Sequence, residues 1–267
     1  MLKTELRNPM TTHLDKMSSL EMVRVMNEEN MRSVLAVDRA LPQIAQAVDA
    51  VAAAFEQGGK LVYIGAGTSG RLGILDASEC PPTFGVSQSQ VQGIIAGGLE
   101  RLVTAGENAE DIYENGVRDV EAVLKAGDVL VGISAAGGAR YVVGALEKAK
   151  EMGCTTVAVT SNEGTAITKV ADIAIVCDTG PEVLTGSTRL KAGNSQKFVL
   201  NMLTTCAMVK TGKVYENLMI NLKPSNEKLR GRVIRITAAI LDCPENEAEV
   251  LLEKNGWDIR KTVESVE

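Results

Sequence analysis

The chain has 267 residues, a length that favours one large domain with a small appendage over two large domains. Apolar residues make up 45% of it and aromatic residues only 3%, so aliphatic side chains must fill the core. A net charge of −6 without a basic tract argues against nucleic-acid binding, and five irregularly spaced cysteines with a single histidine argue against a disulfide framework or a zinc site.

The first 18 residues are polar and irregular, and they predict an N-terminal arm. They lack the apolar segment of a signal peptide. No stretch of the chain has the length and apolarity of a membrane span. We therefore expect a cytoplasmic protein that does not bind membranes.

Two helices are predicted after the arm. Ser19 and the apolar residues behind it indicate a helix start. A longer helix is predicted over about 34–55, where apolar residues recur at helical spacing. Gly58 and Gly59 are expected to end it.

Short apolar runs alternate with helical segments in the middle of the chain. The predicted strands are 60–64, 91–95, 129–133, 155–159 and 173–176. Helices over about 109–126 and 139–152 separate some of them. This alternation indicates βαβ units and a parallel sheet. We predict an α/β fold with a five-stranded parallel sheet, doubly wound, whose ligands lie at the carboxyl ends of the strands.

The C-terminal part is predicted to be helical. A polar loop over 178–191 leads into a long helix over about 192–210. Three short helices follow, at about 227–241, 245–253 and 257–266. We therefore divide the chain into an N-terminal arm with helices (1–50), an α/β domain (51–214) and a small helical bundle (215–267).

The glycine-rich segment Gly65 to Arg71 (GAGTSGR) lies between a predicted strand and a predicted helix. Glycines let a ligand approach the backbone, Thr68 and Ser69 offer hydroxyls, and a helix N-terminus favours an anion. A dinucleotide fingerprint is the alternative, but it needs an acid at the tip of the second strand, where this chain has glycines. The segment favours a sugar phosphate over NAD, and a turn without a ligand stays open.

Three other polar segments are ambiguous when each is taken alone. Pro81 and Pro82 are expected to end a helix and leave Glu79 at its end. Glu110 lies at a predicted helix start, where acids are common because of the helix dipole. By themselves both glutamates are interpreted as solvated. The loop 180–193 is too polar for a mere connector into an apolar helix.

Together these segments resemble a known family, the N-acetylmuramic acid 6-phosphate etherases, which are SIS-domain proteins. The stretch from Gly65 to Thr83 (GAGTSGRLGILDASECPPT) is the most specific part. The resemblance extends to Thr4-Glu5 in the arm and to the loop from Glu182 to Lys191, which glucokinase regulatory proteins share.

The resemblance implies an SIS fold and cleavage of the D-lactyl ether of N-acetylmuramic acid 6-phosphate, in cell-wall sugar recycling. The products would be N-acetylglucosamine 6-phosphate and D-lactate. Glu79 and Glu110 match the two catalytic glutamates of the family. Glu79 is assigned as the acid at the ether oxygen and Glu110 as the base at C2. The opposite assignment of acid and base stays open. The implied substrate contacts are Gly67, Thr68, Ser69, Ser134, Gly137, Glu182, Ser187, Thr188 and Lys191. A homodimer, a small-molecule sugar phosphate as ligand, and no metal or redox cofactor are also implied.

The second phosphate loop departs from the family pattern. Etherases read about Ala-Ala-Ser-Gly-Arg-Thr-Pro-Tyr, whereas this chain reads SAAGGARY from Ser134 to Tyr141. Ala136, Gly138 and Ala139 replace two hydroxyls and an arginine, and Arg140 is new nearby. This altered loop, together with the helical C-terminal bundle, leaves open a non-catalytic sugar-phosphate-binding regulator as the alternative. An aldose-ketose isomerase or deacetylase-like enzyme also stays open, because the fold alone does not exclude it.

Overall fold

The structure is a computed structural model that describes residues 1–104, 106, 108–222, 224 and 226–266. Its strands are β1 (Leu61–Gly65), β2 (Val91–Ile95), β3 (Val129–Ile133), β4 (Thr155–Thr160) and β5 (Ile173–Val176). Its helices are α1 (Ser19–Asp38), α2 (Leu41–Glu56), α3 (Gly67–Phe84), α4 (Tyr113–Glu121), α5 (Arg140–Glu151), α6 (Ala166–Val170), α7 (Lys191–Lys210), α8 (Glu227–Leu241), α9 (Glu245–Lys254) and α10 (Ile259–Glu264).

The five strands form one parallel sheet, as predicted, in the order β2-β1-β3-β4-β5. β1 pairs with β2 on one side and with β3 on the other, so that Gly65 lies opposite both Ile95 and Ile133. The chain therefore reverses its direction of winding between β1 and β3. In open parallel sheets this switch point opens a crevice at the carboxyl ends of the strands, where ligands bind.

Each face of the sheet is covered by helices. Leu61 and Tyr63 point to a layer that includes α2 and α7, whereas Val62 and Ile64 point to a layer that includes α5. All four side chains are fully buried. Burial on both faces explains why the strands read as continuous apolar runs rather than as alternating ones.

Helix α3 begins in close contact with the strand ends. A methyl group at Gly70 would lie 2.6 Å from the carbonyl oxygen of Gly65 and 2.7 Å from Cγ1 of Ile95. Only glycine fits this approach. The outer glycines of the GAGTSG segment therefore serve helix–strand packing, which fixes the start of α3 above the sheet.

The first two helices divide at a different place from the predicted one. Residues 27–33 belong to α1, and the break comes at Arg39 and Ala40 instead. A capping box between Ser18 and Glu21 starts α1, and Pro42 lies in the first turn of α2. The polar residues around 27–33 concealed the helix because Glu29 and Ser33 lie on its buried side.

Helix α3 does not end before Pro81, as predicted, but continues to Phe84. Both prolines lie inside the helix, where each of them removes one backbone N–H from the hydrogen-bond ladder. Phe84 is buried, and the N–H of Gly85 donates to the carbonyl of Pro81 at 2.9 Å to close the turn. Glu79 therefore lies within the helix rather than at its end.

The N-terminal arm is docked on the rest of the chain. It forms three short 3₁₀ turns, Lys3–Glu5, Pro9–Thr11 and Leu14–Lys16. The amide of Asn8 donates to Glu29 at 2.7 Å, and the hydroxyl of Thr11 donates to the carbonyl of Val183 at 2.8 Å. These contacts join the arm to α1 and to the loop before α7.

Helices α8 to α10 form the predicted C-terminal bundle with a core of its own. Val233, Leu252 and Ile259 are buried in it. The guanidinium of Arg230 lies 4.1 Å from the ring centroid of Trp257. Among the described residues, no helix is both long and apolar enough to cross a membrane.

Candidate active site

A cleft of about 280 Å³ opens at the carboxyl ends of β1 and β3, at the switch point of the sheet. Its lining comes from five separate segments of the chain. The lining residues are Glu5, Ala66, Gly67, Thr68, Ser69, Glu110, Ile133, Ser134, Ala135, Ala136, Ala139, Gly186 and Thr188. Its size and position suit a small polar ligand.

The N-terminus of α3 supplies one wall of the cleft. Its N-cap residue, Ala66, has no side chain that could cap the helix. Gly67 has φ +53° and open space around its Cα, so a ligand can approach the first N–H groups. The hydroxyl of Ser69 donates to the amide oxygen of Gln196 on α7 at 3.0 Å. This wall is suited to an anion.

The loop after β3 supplies a second wall. Ser134 is buried, and its Oγ accepts the N–H of Gly137 at 3.1 Å. Gly137 has φ +76°, and a methyl group there would lie 2.3 Å from Oγ1 of Thr165. Glycine is therefore required behind this loop. Ala136 and Ala139 face the cleft with methyl groups, so Ser134 is the only residue from 134 to 139 that carries a hydroxyl.

Glu110 reaches the cleft from the loop before α4. The helix predicted from residue 109 begins later, at Tyr113, so that Glu110 lies in a turn and not in a helix. Its carbonyl oxygen accepts the N–H of Tyr141 at 2.9 Å. Its carboxylate is exposed. The backbone of Glu110 is thus held at the start of α5, next to the second wall.

Arg71 holds the loop that follows β2. Its guanidinium donates to the carbonyl oxygens of Arg101, Leu102 and Thr104 at 2.7 to 2.9 Å. Arg71 belongs to the segment that resembles the etherases, and in this structure it organises the backbone rather than the cleft.

The loop before α7 contributes Gly186 and Thr188. A methyl group at Gly193 would lie 3.5 Å from the carbonyl oxygen of Thr188 and 3.6 Å from Cγ2 of Thr68. Thr68 and the backbone of Thr188 therefore both adjoin Gly193 in the first turn of α7. Ser187, between the two lining residues, does not line the cleft.

Two further predicted contact residues lie behind the cleft. Glu182 is fully buried, and its carboxylate accepts the N–H groups of Lys191 and Ala192 at 3.0 and 2.9 Å, which caps α7. Burial raises the pKa of Glu182, although these hydrogen bonds oppose the effect. Lys191 is also fully buried and pairs with Glu29 on α1. A direct contact with substrate stays a prediction for both.

Glu29 is the centre of a buried polar cluster that joins the arm, α1 and α7. Its carboxylate accepts hydrogen bonds from Lys191 and Asn8 and pairs with Arg32. Burial alone would raise its pKa, but the hydrogen bonds from Lys191 and Asn8 outweigh burial and hold the pKa below its ordinary 4.5. Glu29 is therefore ionised at neutral pH.

Glu79 does not line the cleft in this chain. It lies on the exposed side of α3, twelve residues beyond Gly67, and the helical rise puts it roughly 18 Å along the helix. Asp76, one turn earlier, is buried and accepts hydrogen bonds from Tyr63 at 2.9 Å and Asn201 at 2.6 Å. Burial raises the pKa of Asp76. Its hydrogen bonds connect the inner side of α3 to β1 and α7.

The structure thus brings together part of the predicted set. Gly67, Thr68, Ser69, Glu110, Ser134 and Thr188 line one cleft. Glu79, Gly137, Glu182, Ser187 and Lys191 are outside its lining.

Sequence reasoning missed Glu5 as a lining residue and Gln196 as the partner of Ser69. Glu5 belongs to a matched pair in the arm, but an arm predicted as irregular gave no reason to place it at the sheet. Gln196 lies within a predicted helix, and only the packing of α7 against α3 reveals its contact.

The cleft has an unusual charge for a phosphate site. Its described lining contains two carboxylates, Glu5 and Glu110, and no lysine or arginine. A phosphate there must be held by N–H groups and hydroxyls. Within the described part of the chain, no group of three or more His, Cys, Asp or Glu side chains is arranged to hold a metal ion.

A larger cleft, about 680 Å³, lies at the other end of the sheet, towards the amino ends of the strands. It is lined by segments that precede strands or end helices, including Phe55, Gly85, Met208 and Lys213. Because ligands of open parallel sheets bind at the carboxyl ends of strands, we assign the smaller cleft as the candidate site.

Comparison with known proteins shows the family and the fold of the chain. Residues 43–150 match the model of the glucokinase regulatory protein N-terminal SIS domain, and residues 102–206 match the SIS domain. A protein named N-acetylmuramic acid 6-phosphate etherase 2 from Vibrio cholerae serotype O1 is 53% identical over 255 residues, which cover 95% of this chain and 83% of the relative. An N-acetylmuramic acid 6-phosphate etherase from Symbiobacterium thermophilum is 50% identical over 262 residues, or 98% and 87% of the two chains.

Among solved structures, a phosphoheptose isomerase from Francisella tularensis shares the fold. It superposes with a TM-score of 0.56 at 21% identity, over 72% of this chain and 98% of the isomerase. At this identity the likeness shows the fold alone.

Proposed function

Because the chain belongs to the family of N-acetylmuramic acid 6-phosphate etherases, we propose that it cleaves the D-lactyl ether of N-acetylmuramic acid 6-phosphate as a carbon–oxygen lyase. The observation that carries the proposal is a relative 53% identical over 95% of the chain. The cleft supports it, since hydroxyls, free N–H groups and the carboxylate of Glu110 meet there. The cytoplasmic location stays a prediction.

The phosphate is proposed to bind between the start of α3 and the second loop. Thr68, Ser134 and Thr188 would donate hydroxyl hydrogen bonds, and the N–H groups that follow Ala66 would add backbone donors. This arrangement needs no cation in the lining. It leaves the remainder of the sugar near Glu110.

The reaction is proposed as an elimination followed by addition of water. Glu110 takes the proton from C2 of the open-chain sugar, which lies next to the C1 aldehyde. The electron pair forms a C2–C3 double bond as the C3–O bond to lactate breaks, and an acid protonates the departing oxygen. Water then adds at C3 and C2 regains a proton, which gives N-acetylglucosamine 6-phosphate and D-lactate. General acid–base catalysis of this kind contributes about 10²- to 10⁴-fold in rate.

Glu79 is proposed as the acid, acting in the cleft of a second copy of the chain. Its exposed position on α3, roughly 18 Å along the helix from Gly67, argues against a role in its own cleft. A homodimer is supported by α1, where Leu20, Val23, Met31 and Val34 form one outward face and are each more than half exposed. An apolar face of this kind is typical of a protein interface.

The direct test is to incubate the purified protein with N-acetylmuramic acid 6-phosphate and measure D-lactate. We expect D-lactate from the wild type and a loss of about 10²-fold or more in kcat for Glu110→Gln. Glu114→Gln is the matched control, because Glu114 is exposed on α4 outside the cleft lining. Absence of D-lactate from the folded wild type would refute the proposal.

A regulator that binds a sugar phosphate without turnover is the second candidate. It is favoured by the methyl groups of Ala136 and Ala139 in the second loop and by the match of residues 43–150 to the regulatory-protein domain. Thermal stabilisation by the sugar phosphate without release of D-lactate would select this candidate.

A further inference from the structure

The N-terminal arm carries a carboxylate into the cleft. Glu5 ends the first 3₁₀ turn and lines the cleft together with Glu110 and Gly186. A methyl group at Gly186 would lie 3.6 Å from Oε2 of Glu5, so the carboxylate adjoins the loop that carries Thr188. Neither the predicted catalytic pair nor the predicted contacts include Glu5.

The residues around Glu5 hold the arm in place, and Glu5 does not. The amide of Asn162 accepts the N–H of Lys3 at 2.8 Å and donates to Thr4 at 3.1 Å. The ammonium of Lys3 pairs with Asp178. By contrast, the carboxylate of Glu5 has no hydrogen bond or ion pair to any described residue. The turn is therefore anchored in a way that leaves this carboxylate available to a ligand.

Charge decides which part of the ligand Glu5 can contact. An ionised carboxylate only accepts hydrogen bonds, and it repels a phosphate. A sugar hydroxyl donates a hydrogen bond and suits it. If Thr68, Ser134 and Thr188 hold the phosphate as proposed, the carboxylate of Glu5 suits the hydroxyls of the sugar and not the phosphate.

We propose that Glu5 binds substrate by accepting hydrogen bonds from the sugar hydroxyls, so that the docked arm completes the binding site. This inference rests on the proposed function for the identity of the sugar phosphate. It assigns Glu5 to binding and selectivity, and it leaves proton transfer to the glutamates proposed above. The arm then favours a sugar phosphate over free phosphate.

The test compares two ligands by titration calorimetry, N-acetylglucosamine 6-phosphate and inorganic phosphate, for wild type, Glu5→Ala and Glu5→Gln. We expect Glu5→Ala to weaken sugar-phosphate binding about tenfold or more, with phosphate binding unchanged or tighter. Glu5→Gln should weaken it less, because its amide oxygen still accepts. Asp15→Asn is the matched control: Asp15 is an exposed carboxylate on the same arm that lines a different cleft.

Two results would overturn the inference: unchanged sugar-phosphate affinity in Glu5→Ala, or an equal loss for both ligands. Limited proteolysis of the arm checks that Glu5→Ala keeps it docked, and Asn162→Ala supplies the undocked comparison. In the enzyme assay, Glu5→Ala should raise KM about tenfold with kcat nearly unchanged. If the wild type releases no D-lactate, the proposed function fails, but the calorimetric comparison still decides the role of Glu5.

Discussion

If the phosphate binds as proposed, two methyl groups in the second loop limit how strongly the cleft can hold it. Ala136 and Ala139 line it where the family pattern has serine and threonine. Each hydrogen bond from a hydroxyl to a phosphate contributes roughly 1.5–3 kcal/mol. With the phosphate at the proposed position, the chain would form two fewer of these hydrogen bonds than the family pattern provides.

Restoring the hydroxyls should tighten binding. We expect Ala136→Ser with Ala139→Thr to lower KM for N-acetylmuramic acid 6-phosphate about 100-fold or more, measured by D-lactate release, because two such hydrogen bonds together contribute roughly 3 kcal/mol or more. Gly138→Ala is the control, because a methyl group at Gly138 meets no atom within 4 Å and adds no hydroxyl. An unchanged KM in the double variant would mean that the phosphate lies elsewhere. Ala139 is also the N-cap of α5, so the single variant Ala136→Ser separates phosphate binding from helix capping.

At the scale of elements, the buried pair of Glu29 and Lys191 joins three parts of the chain. We expect Glu29→Gln to lower the free energy of unfolding by about 3–5 kcal/mol, because the ammonium of Lys191 stays buried without its anion. The double variant Glu29→Gln with Lys191→Met should recover most of this loss. Urea unfolding at pH 7 measures both. Equal destabilisation of the single and double variants would contradict the buried-charge explanation.

The same pair predicts a pH dependence with a definite sign. The pKa of Glu29 lies below its ordinary 4.5, so its contribution to stability is present above pH 4.5 and is lost as the pH falls through the lowered pKa. The difference between wild type and Glu29→Gln should therefore shrink below pH 4.5.

Most elements could be predicted from the sequence because their signals are local. Five short apolar runs predicted the strands, and a glycine segment between strand and helix predicted the first wall of the cleft. The helix boundaries were predicted wrongly where tertiary contacts override the local sequence pattern. Buried Glu29 and Ser33 conceal the middle of α1, and the buried Phe84 carries α3 past two prolines. The docking of the arm depends on Asn162, which is 158 residues from its partner Thr4, and no local pattern reports such a contact.

At the scale of the whole molecule, we propose that the two catalytic glutamates of one active site come from two copies of the chain. Glu110 lines its own cleft, whereas Glu79 lies on the exposed side of α3. If the second copy supplies Glu79, each active site combines Glu110 of one protomer with Glu79 of the other. Symmetry then gives a dimer two such sites.

This arrangement predicts complementation between two inactive variants. Glu79→Gln and Glu110→Gln should each be nearly inactive alone. When they are unfolded together and refolded, half of the dimers are mixed, and each mixed dimer has one site with both glutamates intact and one with neither. About a quarter of the wild-type kcat should return. If both glutamates act within one chain, every site lacks one of them and no activity returns. A mixture of Glu110→Gln with Glu114→Gln controls for refolding. It should give about half of the wild-type activity whether the glutamates act within one chain or across two.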